Sequence, residues 1–413
     1  MEKNQKRKKT IKFDENVENH KKEDNKKKKK INSRNDNPCK LRKVNTLGEA
    51  KNLEKKLLVS IEKHETCDSQ KIKMAEEINF KSIPEKIVNT DQYGFIKDNN
   101  KDHKEKESLL QLNARIEKWN YMLSNFKEYT TVHFMKLKTR TRKGIPDNLR
   151  CLAWQKLADI DDYYVKDLYK MLSEEPVKKE VETVIARDLD RTFPECEFFK
   201  EKYGNGQRQL YKVLCNYSKY NQEIGYVQGM GFIAALLLTY MDEERAFFML
   251  HSLMKKYQMD NLYAPGFPDM KKRFFVLLNL EKKFVPKVYN AFLESEVIPN
   301  TYASDWFLCL FSRSLEFKVL VRIFDTFLLE GFKVIYRFSL AILKIKEKEL
   351  INSKEGGVDS IFVALAEVSK NIDVEELFKI AFGFGLSKKE IENLEKEYDK
   401  IKDSKNNEFI RQL

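Results

Sequence analysis

The chain is 413 residues long, 34% charged and 42% hydrophobic, with 14 Gly and 9 Pro and a formal net charge of +13. That length allows one large domain or two ordinary ones, and the composition excludes collagen-like, Pro/Gly low-complexity and wholly disordered chains. Six cysteines (Cys39, Cys67, Cys151, Cys196, Cys215, Cys309) are scattered without a C-x-x-C pair, which argues against a disulfide framework or a thiolate metal site and for a reducing compartment.

Residues 1–43 hold 17 Lys and Arg against 7 Asp and Glu, so +10 of the charge belongs to them and +3 to the remaining 370 residues. Residues 1–13 are basic but lead into no apolar stretch, so no secretory signal is expected. The Lys/Asn-rich composition, with a lysine run at 26–30, lacks the apolar density that offsets ordering entropy, and residues 1–70 are expected to form a disordered polybasic tail. Such charge density suits an anionic membrane, nucleic acid or an import receptor, and equally a solvated tail with no partner. No aromatic residues interleave with the lysines to stack on bases, so nucleic acid is the least expected of these.

Residues 71–140 read as a lead-in segment with one amphipathic helix: Leu109, Leu112, Ile116, Trp119, Leu123 and Phe126 recur at spacings of three and four. The same spacing marks Leu210, Val213, Leu214 and Tyr217, and again the long stretch from Trp306 to Leu343. The uncharged run Ile224–Met241 is 18 residues long, but it contains Gln228 and three Gly and is flanked by Glu223 and Asp242. It is expected to be a buried helix rather than a membrane span. Breaks fall at Gly144-Ile145-Pro146, Thr192-Phe193-Pro194, Pro265-Gly266-Phe267-Pro268 and Ile298-Pro299, and a residue before proline is biased out of the helical region. No alternating strand pattern, Asn-Gly hairpin or internal repeat is present. The expected fold class is all-α.

Several chemistries are missing. The glycine cluster Gly225, Gly229, Gly231 has no lysine and no preceding strand, so it is not a phosphate-cradling loop, and no HExxH or G-x-S-x-G is present. Two segments remain. In Ile185–Pro194, Asp188 and Arg191 stand three apart, on one face of a helix that the proline ends. From this segment alone Arg191 is half of a surface ion pair or a long side chain projecting from a helix terminus. In Tyr220–Met230, Gln228 is a lone amide in an apolar, Gly-flanked run. Because burying an unpaired amide costs a few kcal/mol, Gln228 either has a partner within the fold or faces outward to serve one.

Taken together, the stretches Arg142–Trp154, Ile185–Pro194, Tyr226–Met230 and Ser304-Asp305-Trp306-Phe307 resemble, in order and spacing, the successive signatures of the TBC domain. That domain belongs to GTPase-activating proteins for Rab-type small GTPases. The likeness covers residues 141–350. Asp91-Gln92-Tyr93-Gly94-Phe95 is similar to a lead-in found ahead of some members, Gly206-Gln207 to a helix start, and Glu330–Arg337 to an EG-x-K-x-x-x-R segment. Residues 351–413 are expected to supply closing helices. Val227 stands where the family commonly has Cys, Gly231 where it has Asn, and Phe324 where Trp often precedes Asp325.

The resemblance implies a multi-helix TBC-type domain and a partner, a GTP-bound Rab-type GTPase, on which Arg191 acts as an arginine finger and Gln228 as a glutamine finger in trans. Asp188, Tyr226, Thr192 and Gly229 would support these two. Gly144, Ile145, Pro146, Arg150, Trp154, Trp306 and Asp325 would be structural. No cofactor or metal of the chain's own is implied, since GTP and Mg²⁺ belong to the partner. The implied setting is vesicle trafficking in the cytoplasm, peripheral to endomembranes. The alternative is a non-catalytic adaptor of the same fold that binds a small GTPase.

Overall fold

The structure, a computed structural model, describes residues 90–95, 108–353, 356–367 and 372–402. The expected tail, residues 1–70, and most of the lead-in before residue 108 lie outside them. Described residues from Asp91 onward belong to one compact unit; of a second, residues 33–90, only Thr90 is described.

The described part of the first unit is built of helices joined by turns. Its helices of eight residues or more are α1 (Leu109–Ser124), α2 (Phe134–Arg142), α3 (Arg150–Leu157), α4 (Lys179–Leu189), α5 (Asn205–Tyr220), α6 (Met230–Leu238), α7 (Glu243–Lys256), α8 (Pro268–Phe284), α9 (Pro286–Glu294), α10 (Phe317–Glu330), α11 (Lys333–Ile345), α12 (Gly357–Glu367), α13 (Val374–Gly383) and α14 (Lys388–Ile401). Among the described residues no strand occurs, although an isolated antiparallel bridge joins Phe95 to Cys196. The all-α expectation holds. No helix among them is long and apolar enough to cross a membrane.

Local chemistry explains the helix starts. Ser108 caps α1 by accepting from the Gln111 backbone N–H at 3.3 Å, while Gln111 Oε1 accepts from the Ser108 N–H at 3.4 Å, a reciprocal capping box. Pro268 and Pro286 open α8 and α9, where a missing N–H and a fixed φ do no harm. The apolar stripe of α1 is covered only toward its end: Trp119 and Leu123 are buried, Leu109 is exposed. The buried helix expected over 224–241 is shorter than the run suggests. Gly225 and Gly229 take φ of +66° and +108°, so the chain turns twice before α6 can begin at Met230.

In the first half, α5 is the hub, packed by α4, α6 and α7. In the second half α11 is buried from Val334 through Leu343 and packs on α10 and α13, while α14 lies along α8. Arg337 of α11 donates to the carbonyls of Ala381 (2.8 Å), Phe384 (2.8 Å) and Leu386 (2.7 Å), satisfying the C-terminal end of α13. The residues resembling EG-x-K-x-x-x-R are thus cross-braces: Glu330 takes a bidentate pair from Arg142 at 2.6 and 2.7 Å.

One carboxyl in this half is fully enclosed. Glu281 of α8 accepts from the Tyr302 hydroxyl through Oε1, while Oε2 has no partner. Burial pushes its carboxyl up to about 8, the tyrosine bond acting in the opposite direction. An unfolded Glu titrates near 4.3. Between about pH 4.3 and 8 the folded chain therefore holds a proton that the unfolded chain has lost, so stability is greatest below this window and falls as pH rises through it. The total is on the order of 3–5 kcal/mol. Glu281→Gln, which keeps a neutral group of the same shape, is expected to flatten the decline of Tm between pH 5.5 and 8.5. Parallel Tm profiles for the two proteins would contradict this.

Candidate functional site

The site is built where α4 ends. The helix stops at Leu189, and Arg191 lies two residues beyond it, not in the last helical turn as the spacing suggests. The reason is the turn that follows: Thr192 N–H returns to the Leu189 carbonyl at 3.1 Å, and Phe193 adopts φ +46°, which no helix continues.

Asp188 organises the turn. It is 4% exposed, so the ion pair expected between Asp188 and Arg191 is present but anchored on an enclosed carboxylate. Its Oδ1 accepts from Arg191 Nη2, its Oδ2 accepts from the Tyr226 hydroxyl, and its backbone carbonyl accepts from Thr192 Oγ1 at 2.7 Å. One carboxylate thereby ties the end of α4 to the turn before α6. Burial, and then the bond to Asp188, raise the Tyr226 phenol far above its ordinary value, so it stays a donor.

Gln228 follows Tyr226 by two residues. It is exposed, and its side chain makes no hydrogen bond among the described residues. Of the two possibilities open for this amide, the outward one is found. Gly229 caps α6 at φ +108°, and a Cβ there would stand 3.2 Å from Cys309 Sγ. The residue next to Gln228 thus packs against the Cys309 thiol and the Leu308 side chain, which leave little room for a Cβ at 229. Gly231 faces Thr192 Oγ1 and the Tyr226 hydroxyl, each 3.4 Å from an ideal Cβ, so a side chain at 231 would enter the network around Asp188.

Arg191 and Gln228 thus stand on adjoining turns. The guanidinium is about half exposed (48%), and apart from Asp188 its donors meet no partner among the described residues. Both groups are polar, outward and held from below by a buried carboxylate and two glycines. The arrangement exposes a planar cation and, two residues from Tyr226, a neutral amide on turns tied together through Asp188.

The other motif residues form a second centre, inside. Asp325 of α10, 0% exposed, accepts from Ile145 N at 2.9 Å, Arg150 Nε at 3.2 Å and Trp154 Nε1 at 2.7 Å. Arg150 also donates to Asp147 and to Tyr240. Gly144 at φ +95° and the buried Pro146 shape the loop that delivers the Ile145 N–H. Phe324 fits beside this centre with its ring 4.7 Å from Trp154, edge on. Trp306 is elsewhere, against Tyr302 and Phe311, in the segment that backs Gly229. Gln207 clamps the stretch after the site, accepting from Tyr203 N and donating to the Phe199 carbonyl. The motifs did not single out Tyr240, Cys309 or the ring of Phe193, because each acts through contacts distant in sequence.

Fold and site together define, among the described residues, an all-helical domain with an arginine and a glutamine exposed on turns joined through Asp188. A family model described as the Rab-GTPase-TBC domain matches residues 147–351. The chain is 36% identical over 259 residues to the TBC1 domain family member whacked of Drosophila melanogaster, covering 61% of this chain and 70% of that protein. It is 35% identical over 280 residues to the Rab GTPase-activating protein eat-17 of Caenorhabditis elegans, covering 68% of this chain and 31% of that protein. It spans about a third of the length of several such relatives. The crystal structure of the Chlamydomonas flagellar RabGAP TBC domain superposes with a TM-score of 0.55 at 24% identity, over 71% of this chain and 99% of that one. This chain belongs to the Rab-GTPase-TBC domain family.

Proposed function

We propose that the protein stimulates GTP hydrolysis by a Rab-type small GTPase in its GTP-bound state, with Arg191 and Gln228 entering the partner's nucleotide site. Hydrolysis on such a GTPase is slow because charge on the transferring phosphoryl group lacks compensation and the attacking water is loosely held. Arg191 supplies a planar, permanently charged fork to those oxygens once it leaves Asp188. Gln228 accepts from the water while donating to phosphate, which an uncharged amide can do at once. Asp188, Tyr226 and Thr192 position the arginine; Gly229 positions the glutamine. GTP and Mg²⁺ come with the partner. The setting is vesicle trafficking at the cytoplasmic side of endomembranes, where the basic residues 1–43 would meet anionic lipid.

The observation that carries this reading is the placement of both side chains outward on turns joined through Asp188. Single-turnover hydrolysis across a panel of GTP-loaded Rab proteins tests it. At least one member is expected to be accelerated by wild type, and Gln228→Ala to lose about 10² or more of that acceleration, the scale seen when one preorganised donor is removed. Binding of a GTP-loaded Rab without acceleration would replace this reading with the adaptor.

A further inference from the structure

Five residues outside the family match close over the turn that carries Arg191. Asp91–Phe95 form a turn of their own: Asp91 Oδ1 accepts from Tyr93 N at 2.8 Å and Phe95 N at 3.0 Å, and Gly94 takes φ +84°. This turn docks twice. Through its backbone, Gly94 O accepts from Glu197 N at 2.8 Å and Phe95 bridges Cys196. Through its rings, Phe95 and Tyr93 lie 4.9 and 5.0 Å from Phe317 at the start of α10.

Between these two docking points sits Phe193, two residues after Arg191. A bulky residue at φ +46° costs about 1–3 kcal/mol, and such a conformation persists only where surrounding packing over-determines it. The packing is aromatic. The Phe193 ring is 5.7 Å from Phe95 at 81°, 5.8 Å from Phe317 at 82° and 5.8 Å from Phe232 at 89°. Edge-to-face pairs of this kind contribute about 0.5–1.5 kcal/mol each beyond their area, enough together to offset the strain. Without the Phe95 wall, the turn can relax toward the commoner right-handed region, and Arg191 moves with it.

We propose that Phe95 is a positioning residue for Arg191: its ring holds Phe193 in the left-handed conformation that aims the arginine outward. This rests on the finger reading of Arg191. The segment 91–95 is accordingly part of the working unit although it lies before the matched domain.

The test is a double-mutant cycle in the full chain, read by single-turnover hydrolysis on the Rab that wild type accelerates best. Phe95→Ala is expected to lower the rate at saturating protein by about 10- to 100-fold, the scale of a misplaced reacting group, with the half-saturating concentration changed less than about twofold. Phe95→Leu, which refills most of the volume, is expected to recover most of the rate, and it carries the cycle if the alanine variant melts below the assay temperature. On the residual rate of Arg191→Ala, either substitution should have no further effect. An unchanged saturating rate, or an equal loss in the presence and absence of Arg191, overturns the proposal. If Arg191→Ala alone matches wild type, the finger reading fails instead.

Discussion

Arg191→Ala is expected to lower stimulated hydrolysis by about 10³-fold or more, toward the partner's intrinsic rate, because an arginine supplied in trans typically contributes 10³ to 10⁵. The protein should remain folded. The side chain is about half exposed and bonds only to Asp188 among the described residues, whose other oxygen keeps the Tyr226 hydroxyl. Asp188 is left enclosed without its counter-charge, but water enters where the half-exposed guanidinium stood, so the loss of stability should stay below that of a fully buried pair, about 3–5 kcal/mol. Arg191→Lys should recover little of the rate. A lysine is a point charge on a flexible stem and cannot place two parallel donors on phosphoryl oxygens. The measurement is single-turnover hydrolysis paired with affinity for the GTP-loaded partner. Loss of rate with binding preserved supports an interaction made at the transition state, whereas hydrolysis by Arg191→Ala at the wild-type rate would remove Arg191 from the mechanism.

That this arginine could be noticed in the sequence at all reflects local order. Asp188 and Arg191 are three apart, and proline follows at once. What the spacing could not convey was burial. Asp188 looked like a surface partner and is enclosed, because the residue that encloses it, Tyr226, comes 38 positions later. The glycines at 225 and 229 were visible on either side of Gln228, yet the uncharged run read as one helix. Hydropathy is blind to the sign of φ, and it is the positive φ at both glycines that delays α6 to Met230. The breaks at Pro268 and Pro299 were legible from the proline, and each opens a helix, whereas Pro286 at the start of α9 was not singled out. The Phe95–Phe193 contact was not, since nothing periodic connects rings 98 positions apart. The site is thus half local and half tertiary, and the tertiary half aims it.

The same division appears at Asp325, whose partners Ile145, Arg150 and Trp154 lie 171 to 180 residues earlier. Asp325→Ala is expected to be the most destabilising single change of those considered. It leaves the Arg150 guanidinium, 6% exposed, without its buried counter-charge, and strands the Ile145 and Trp154 N–H donors. Breaking a buried pair by removing one partner costs about 3–5 kcal/mol, a large part of the 5–15 kcal/mol that typically holds a native fold. For a body of this size that corresponds to a fall in Tm of about 10 °C. Burial works to raise the Asp325 carboxyl and Arg150 works to lower it, so the charged pair exists only as a unit. Replacing both ends by apolar groups, Arg150→Met with Asp325→Leu, should therefore destabilise less than Asp325→Ala alone, because no charge is left buried. Below its melting point the single variant should stimulate hydrolysis at a rate near wild type per folded molecule. The centre is enclosed, with Asp325, Arg150 and Trp154 all buried. A Tm within about 2 °C of wild type for Asp325→Ala, or a double variant worse than the single, would show that this carboxylate does not hold α3 and the Ile145 loop to α10.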